Sequence, residues 1–342
     1  MIVDGFPDRE ITVNGEKYLY FGGTSYLGMA INKEFQEIIS DSLKKWGTFY
    51  GSSRNANVKL AIYDKFESYF SEYLGAETAL TVSSGTLAGK MVIDYLSKSE
   101  VVFFHYPKTH PAILAPNSLP LFINNKLHPK LQDAILEEIV ITVDAILPLE
   151  TTPTPFDFLN EISSQKKITL VVDESHSLGI FGKLGEGIFS TIRSEKLHRK
   201  IMISSLGKAF GLSGGIIASD KEFIKHLREE PVFVSSSGAN PAYLEAYIKG
   251  LHIYEKQRLL LMQNLDFLDK ILAPKRDFQF NKAYPVIYAS GDNLYKSLLR
   301  EHIVIARFKY PTYENYMSRI VITANHTTED LMKLKQVLTI NN

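Results

Sequence analysis

From Asn32 to Trp46 apolar residues recur at helical spacing (Phe35, Ile38, Ile39, Leu43), and the pattern returns from Leu60 to Leu74 with Ile62, Phe66, Tyr69 and Phe70. Both stretches predict amphipathic helices. The short apolar run Ala79 to Val82 meets Ser83-Ser84-Gly85-Thr86, and helical spacing resumes from Leu87 to Leu96. That order predicts strand, turn and helix. Further apolar runs, Val101 to Phe104, Ile139 to Val143, Ile168 to Val172, Ile201 to Ser204 and Gly215 to Ala218, are separated by helical or turn-rich stretches. Such alternation predicts an α/β fold whose large domain has a mostly parallel central sheet flanked by helices. Beyond Asp220 the chain changes to long helical patterns, notably Pro241 to Leu272, followed by short strands near Pro285 to Ala289 and Arg319 to Thr323. A smaller α+β C-terminal domain is expected there. The expected division is an N-terminal segment 1–45, a large domain 46–220 and a small C-terminal domain 221–342. The chain has no internal repeat, low-complexity tract or flexible linker, so ordered elements should join these parts.

Composition narrows the class of partner. With 342 residues, 45% of them hydrophobic, the chain can bury a large core and is long enough for two domains. Lysine plus arginine and aspartate plus glutamate both number 38, so no overall field favours a nucleic-acid backbone or an anionic membrane. A small molecule is the expected partner, and nucleic acid is not. The absence of cysteine excludes a disulfide framework, a thiolate nucleophile and a zinc site with sulfur ligands. Met1 to Glu10 is polar, and no apolar run reaches the roughly 18 residues of a spanning helix. No membrane span is expected, and a cytoplasmic location is the default.

The candidate chemistry lies where apolar runs end. Thr169-Leu170-Val171-Val172-Asp173-Glu174-Ser175-His176 reads as a buried strand delivering an acid and an imidazole at its carboxyl end, where open α/β sheets bind ligands. Ile201-Met202-Ile203-Ser204-Ser205-Leu206-Gly207-Lys208-Ala209 again reads as a strand running into a polar turn, now with one lysine. Together these segments suggest a cofactor cradle. Asp-Glu-Ser-His followed by Ser-Leu-Gly-Lys-Ala resembles the pyridoxal-phosphate enzymes of fold-type I. Among these the chain is most similar to the α-oxoamine synthases, which make 8-amino-7-oxononanoate, 2-amino-3-ketobutyrate, 5-aminolevulinate and 3-ketodihydrosphingosine. Ser25-Tyr26-Leu27-Gly28 resembles the group's Asn-Tyr-Leu-Gly, Arg319 to Leu331 resembles its closing segment, and the Arg54 to Glu67 spacing also fits.

The resemblance implies a role for each matching residue. Lys208 would carry pyridoxal 5'-phosphate as an imine and then shuttle the α-proton. Asp173 would pair with the pyridine nitrogen, so that the ring accepts electrons. His176 would bond the phenolic oxygen. His110, in Pro107-Lys108-Thr109-His110-Pro111-Ala112, would stack on the ring, with His105 as a neighbouring competitor. Ser84, Gly85, Thr86 and Ser205 would hold the phosphate from a polar turn at a helix amino terminus. Ser235-Ser236-Ser237 resembles a segment that reaches the neighbouring subunit's phosphate, with Ser236 the candidate, which implies a homodimer with a shared active site. Arg319 would grip the substrate carboxylate. The implied activity is an acyltransferase that condenses a small amino acid with an acyl thioester, such as acyl-CoA, through an external aldimine and a quinonoid.

Departures from the group's pattern fall near the second substrate. Phe49 and Ser52 stand in place of two glycines, and Pro148 and Glu150 interrupt the expected Ser-Met-Asp-Gly. The alternatives are therefore an aminotransferase or carbon–carbon lyase on the same fold, or a cofactor-binding protein without turnover. Gly182 to Gly187 resembles a phosphate loop but reads more simply as glycines for a tight turn. The charges from Glu222 to Glu230 fall at helical intervals and read as a solvated face.

Overall fold

The structure, a computed structural model, describes residues 1–272, 278–289, 292–308 and 316–340. The chain opens with a hairpin, β1 (Glu10–Val13) and β2 (Glu16–Phe21), turned by Asn14 and Gly15 with φ of 52° and 84°. Positive φ at both turn positions suits asparagine and glycine and matches the strands' twist. Helix α1 (Lys33–Trp46) begins at Asn32, whose side chain accepts from Phe35 N, and ends in Lys44 and Lys45 beside its negative pole. Helix α2 (Ala61–Leu74) stops at Gly75 in the left-handed conformation, the usual means of satisfying terminal carbonyls. There follow β3 (Thr78–Val82), α3 (Gly85–Leu96), β4 (Val102–His105), the short strands β5 (Leu119–Pro120), β6 (Phe122–Ile123) and β7 (Lys126–Leu127), then β8 (Glu137–Asp144), β9 (Lys166–Asp173), β10 (Leu197–Ser205) and β11 (Gly215–Ser219). Each apolar run read from the sequence is a strand here.

Seven of these strands form one sheet in the order β3-β11-β10-β9-β8-β4-β5. The pairs from β10 to β5 are parallel, and β11 runs antiparallel to both neighbours. Strands β8, β9 and β10 therefore end on the same edge, with Asp144 opposite Asp173 and Asp173 opposite Ile203. The nearly unbroken burial of β8, β9 and β11 is what a sheet covered on both faces requires.

Helices α4 (Lys221–Glu229) and α5 (Pro231–Ser235) follow. Phe223, Ile224, Leu227 and Phe233 pack into the same core as Leu80, Val171, Ile203 and Ile217 of the sheet. Glu222, Lys225 and Glu229 on α4 face outward, as the sequence suggested, but Arg228 reaches inward to the buried Glu67 carboxylate, and the helix's apolar residues face the sheet. The helical pattern Pro241 to Leu272 is two helices, α6 (Pro241–Lys249) and α7 (Leu251–Ile271), divided at Gly250. A Cβ at Gly250 would lie 3.0 Å from the Phe35 ring, so the junction depends on glycine to approach α1.

The chain closes with β12 (Phe278–Phe280), β13 (Val286–Ala289), α8 (Asp292–Arg300), β14 (Ile303–Phe308), β15 (Met317–Val321) and α9 (Thr328–Ile340). These strands combine with the N-terminal hairpin into a second sheet, ordered β1-β2-β14-β15-β13-β12. The first and last parts of the chain thus share one sheet, and Ala324 N donates to the Tyr26 carbonyl at 2.9 Å. Among the described residues no helix is long and apolar enough to cross a membrane.

Candidate active site

A cavity of about 400 Å³ opens at the carboxyl edge of β8, β9 and β10. Parallel strands deliver their last side chains there, so Asp144 and Asp173 arrive in register, and the turns after β9 and β10 add His176 and Lys208. Of the residues singled out from the sequence, Ser84, Gly85, Thr86, His110, Asp173, His176, Ser205, Lys208 and Arg319 all line this one cavity. Ser236 does not. It is half-buried at the end of α5, where its hydroxyl donates to the Phe233 carbonyl at 3.3 Å. His105 is also elsewhere, its Nδ1 2.9 Å from Ser118 Oγ.

The polar end of the cavity is built from α3. Ser84 caps the helix by accepting from Leu87 N, and the first helical bond runs from Ala88 N to Ser84 O, so the N–H groups of Gly85 and Thr86 have no acceptor among the described residues. Orphan N–H groups with the positive helix pole behind them suit an anion. A Cβ at Gly85 would lie 2.7 Å from Ser205 Cα, so only glycine lets the helix start come this close to the turn that carries Ser205. Ser205 is itself fixed, its N–H donating to Ser175 Oγ at 2.8 Å and its hydroxyl accepting from Gly207 N at 3.1 Å.

Asp173 Oδ1 accepts from Ser175 N at 2.8 Å, which orients the carboxylate. Next to it in sequence, Glu174 turns away from the cavity. Its carboxylate accepts from Ser177 Oγ and from Ile188 N, and so fastens the glycine-rich turn 182–187. Gly182, Gly185 and Gly187 there have φ of 89°, 87° and 80°, so they serve the turn rather than a phosphate. Burial lowers the Lys208 amine to about 8, against the opposing influence of Asp173 and Asp144.

His110 is held from two sides. Its N–H donates to Asp144 Oδ2 at 2.8 Å, and its Nδ1 accepts from Ala112 N at 3.2 Å, which leaves the ring proton on Nε2. Burial, with Asp173 beside it, pushes the Asp144 carboxyl well above the usual range. Burial also lowers His176, as do Lys208, Arg319 and His110 around it, and its Nδ1 is 2.8 Å from Tyr26 Oη. Tyr106, four residues before His110, packs against Phe122 and Phe158.

Arg319, which reaches the cavity from the second sheet, sits on β15 between Ala306 of β14 and Tyr288 of β13, so its strand is interior. Its guanidinium lies 5.0 Å from the Phe308 ring centre and donates to the Gly23 carbonyl at 3.3 Å, while its buried Nε has no partner among the described residues. An unpaired buried donor is costly unless something else accepts from it. Arg54 has a different setting. Nη1 contacts Glu67 Oε1 at 2.6 Å and the Thr81 carbonyl at 3.0 Å, the guanidinium covers the Tyr63 ring at 3.9 Å, and Arg228 holds the other Glu67 oxygen. This buried cluster joins the loop after α1 to α2, β3 and α4.

Asp144, Tyr26, Tyr284 and Tyr288 were not singled out as site residues. Asp144 carried a usable signal, because Ile-Thr-Val-Asp ends one apolar run as Leu-Val-Val-Asp ends the next. The tyrosines carried none, since their place depends on the second sheet.

A nucleophilic amine, an acid at a strand end, an anion-accepting helix start and an arginine facing them define the binding site of a pyridoxal-phosphate enzyme. The profile of the aminotransferase class I and II family matches residues 151–338, and that of the DegT/DnrJ/EryC1/StrS aminotransferase family matches residues 57–185. The chain belongs to the aminotransferase class I and II family. It is a fold-type I, pyridoxal-phosphate-dependent transferase of α-oxoamine synthase-like kind. It is 28% identical to the 8-amino-7-oxononanoate synthase of Petrotoga mobilis over 94% of this chain and 87% of that one. The Lysinibacillus sphaericus 8-amino-7-oxononanoate synthase is 24% identical over 95% of this chain and 88% of that one. The fold resembles the serine palmitoyltransferase of Sphingomonas wittichii, with a TM-score of 0.83, 18% identity, and coverage of 98% of this chain and 90% of that one. The 8-amino-7-oxononanoate synthase of Francisella tularensis gives a TM-score of 0.71 at 23% identity, covering 94% and 97% of the two chains.

Proposed function

We propose that this transferase joins a small amino acid to an acyl thioester, and that Lys208, Asp173, His176 and His110 are its catalytic residues. The observation that carries this reading is the single cavity lined by Lys208, Asp173, the start of α3 and, from the second sheet, Arg319. The orphan N–H groups of Gly85 and Thr86 and the unpaired Nε of Arg319 suit a phosphate at one end and a carboxylate at the other. Bound pyridoxal 5'-phosphate supplies a carbonyl for amines and a ring that takes up electrons from the α-carbon. Ser84, Gly85, Thr86 and Ser205 hold its phosphate. Asp173 keeps a proton on the ring nitrogen, His176 bonds the phenolic oxygen and His110 covers the ring face. Lys208, with its amine lowered to about 8, moves the α-proton near neutral pH. Arg319 takes the substrate carboxylate in a two-pronged grip and fixes the α-carbon.

The same reading makes the enzyme a cytoplasmic homodimer. Ser236 lies outside its own chain's cavity, which supports a role toward a second copy. Transamination or carbon–carbon cleavage is the second reading, favoured by Leu147 and Pro148, which line the cavity where the group carries a polar segment. The test supplies purified protein and pyridoxal phosphate with glycine, alanine or serine, with and without acyl-CoA. Free thiol released only when both substrates are present supports acyl transfer. Amino-group transfer to a 2-oxo acid without thiol release overturns it.

A further inference from the structure

A second cavity, of about 280 Å³, reaches Phe210, two residues after Lys208, and has no described lining residue in common with the first. Its walls are aromatic: Tyr69 and Tyr73 from α2, Phe210 from the lysine turn, Tyr247 from α6 and Tyr254 from α7. Tyr69 and Tyr73 fall four apart on α2 and so share a face. Their rings stack at 6.0 Å, and the Phe210 ring meets that of Tyr247 edge-on at 5.2 Å.

The hydroxyls around the cavity are not alike. Tyr73 Oη donates to the Leu184 carbonyl at 3.1 Å, and Tyr254 Oη donates to the Phe210 carbonyl at 2.8 Å. Tyr247 is 2% exposed and lines the cavity, yet its hydroxyl has no partner among the described residues. A buried tyrosine hydroxyl ordinarily pairs, and leaving it unpaired costs free energy. Glu255 and Arg258 also line the cavity, three residues apart on α7, so their charges offset each other. His252 there is turned to Glu34 of α1 at 2.8 Å. The lining therefore selects a neutral molecule. An apolar cavity of about 150 Å³ takes up benzene, so this larger one has room for a ring with a substituent.

We propose that this cavity is a ligand site separate from the catalytic one, and that it takes a neutral molecule of one aromatic ring whose hydroxyl pairs with that of Tyr247. The surrounding rings offer stacked and edge-to-face contacts, which favour a flat aromatic ring over a saturated one. The test is titration calorimetry on the purified full chain with 4-methylphenol as the probe, and with cyclohexanol and choline as controls. The proteins compared are the wild type, Tyr247→Phe, which removes one hydroxyl, and Leu251→Trp, which fills the cavity from the start of α7. The wild type should bind one 4-methylphenol per chain and neither control as tightly. Tyr247→Phe should bind about three- to tenfold more weakly. Leu251→Trp should not bind while melting as the wild type does, and if it fails to fold, Tyr247→Phe decides alone. No binding to the wild type overturns the proposal, as does equal affinity in Tyr247→Phe or equal affinity for cyclohexanol. Displacement of the probe by pyridoxal phosphate, or wild-type affinity in Leu251→Trp, places the probe elsewhere and overturns it too. None of these outcomes depends on what Lys208 does.

Discussion

Replacing Arg54 with methionine removes one cation from the buried Arg54–Glu67–Arg228 cluster while keeping most of the side-chain volume. The side chains of Arg54 and Glu67 are 5% and 4% exposed, so the Glu67 carboxylate stays out of water after its partner is gone. Removing one member of a buried ion pair costs about 3–5 kcal/mol. Glu67 still accepts from Arg228 at 2.5 Å and from Thr81 N at 2.7 Å, which places the loss at the lower end, about 3 kcal/mol. For a chain this long that corresponds to a fall of about 4 °C in melting temperature. The loss should depend on pH. Burial pushes the Glu67 carboxyl up, and Arg54 with Arg228 outweighs this, holding it below its ordinary value. In the wild type the carboxylate therefore contributes stability above the unfolded carboxylate range, and that contribution fades as pH falls through the lowered value. Without Arg54 the carboxyl rises and takes up a proton sooner, so the gap between wild type and variant narrows on going from pH 7 to pH 5. Adding Glu67→Gln to Arg54→Met should recover part of the loss at pH 7. Scanning calorimetry at both pH values decides the matter. A variant melting within 1 °C of the wild type at pH 7, or a gap of the same size at both pH values, refutes the argument.

Asp144 should behave as a neutral acid, since burial and Asp173 hold its carboxyl well above the usual range. Asp144→Asn keeps an oxygen for His110 N and should shift stability by less than about 1 kcal/mol, whereas Asp144→Ala strands that N–H and costs about 1–3 kcal/mol, read by thermal melting. Lys208, lowered to about 8, should react with aldehydes at a rate that rises through that pH and then levels, because the neutral amine is the nucleophile. A rate still climbing toward the range of an ordinary lysine contradicts this. Gly187→Ala places a Cβ at φ +80° against the Glu174 carboxylate and should cost about 1–3 kcal/mol, measured by denaturant unfolding.

The large sheet was legible because each of its strands is a short apolar run closed by a polar turn. Asp173, His176 and Lys208 stood at those closures, and the sheet brings them to one edge. The hairpin β1–β2 was missed although Val13-Asn14-Gly15-Glu16 is a strong turn signal, because β2 reads Glu-Lys-Tyr-Leu-Tyr-Phe and lacks a sustained apolar run. Gly250 was absorbed into one long helical pattern, since glycine inside a helix is a weak signal until a close neighbour such as Phe35 is known. The pairing of Tyr26 with Tyr284 joins positions 258 residues apart and follows only from the union of the first and last strands in one sheet. Arg54 illustrates the same limit. Its spacing to Glu67 was visible, but its task, holding a loop, two helices and a strand together, depends on packing that no local pattern encodes.

The central claim is that Lys208 carries the cofactor, and its most direct test is chemical trapping. Purified protein incubated with pyridoxal phosphate and then reduced with borohydride should lose its visible absorbance and retain one pyridoxyl mass, on the peptide containing Lys208. Lys208→Ala should abolish that label while leaving the fold intact. Absence of a visible band in the wild type, or a label placed on another lysine and kept by Lys208→Ala, would contradict the account.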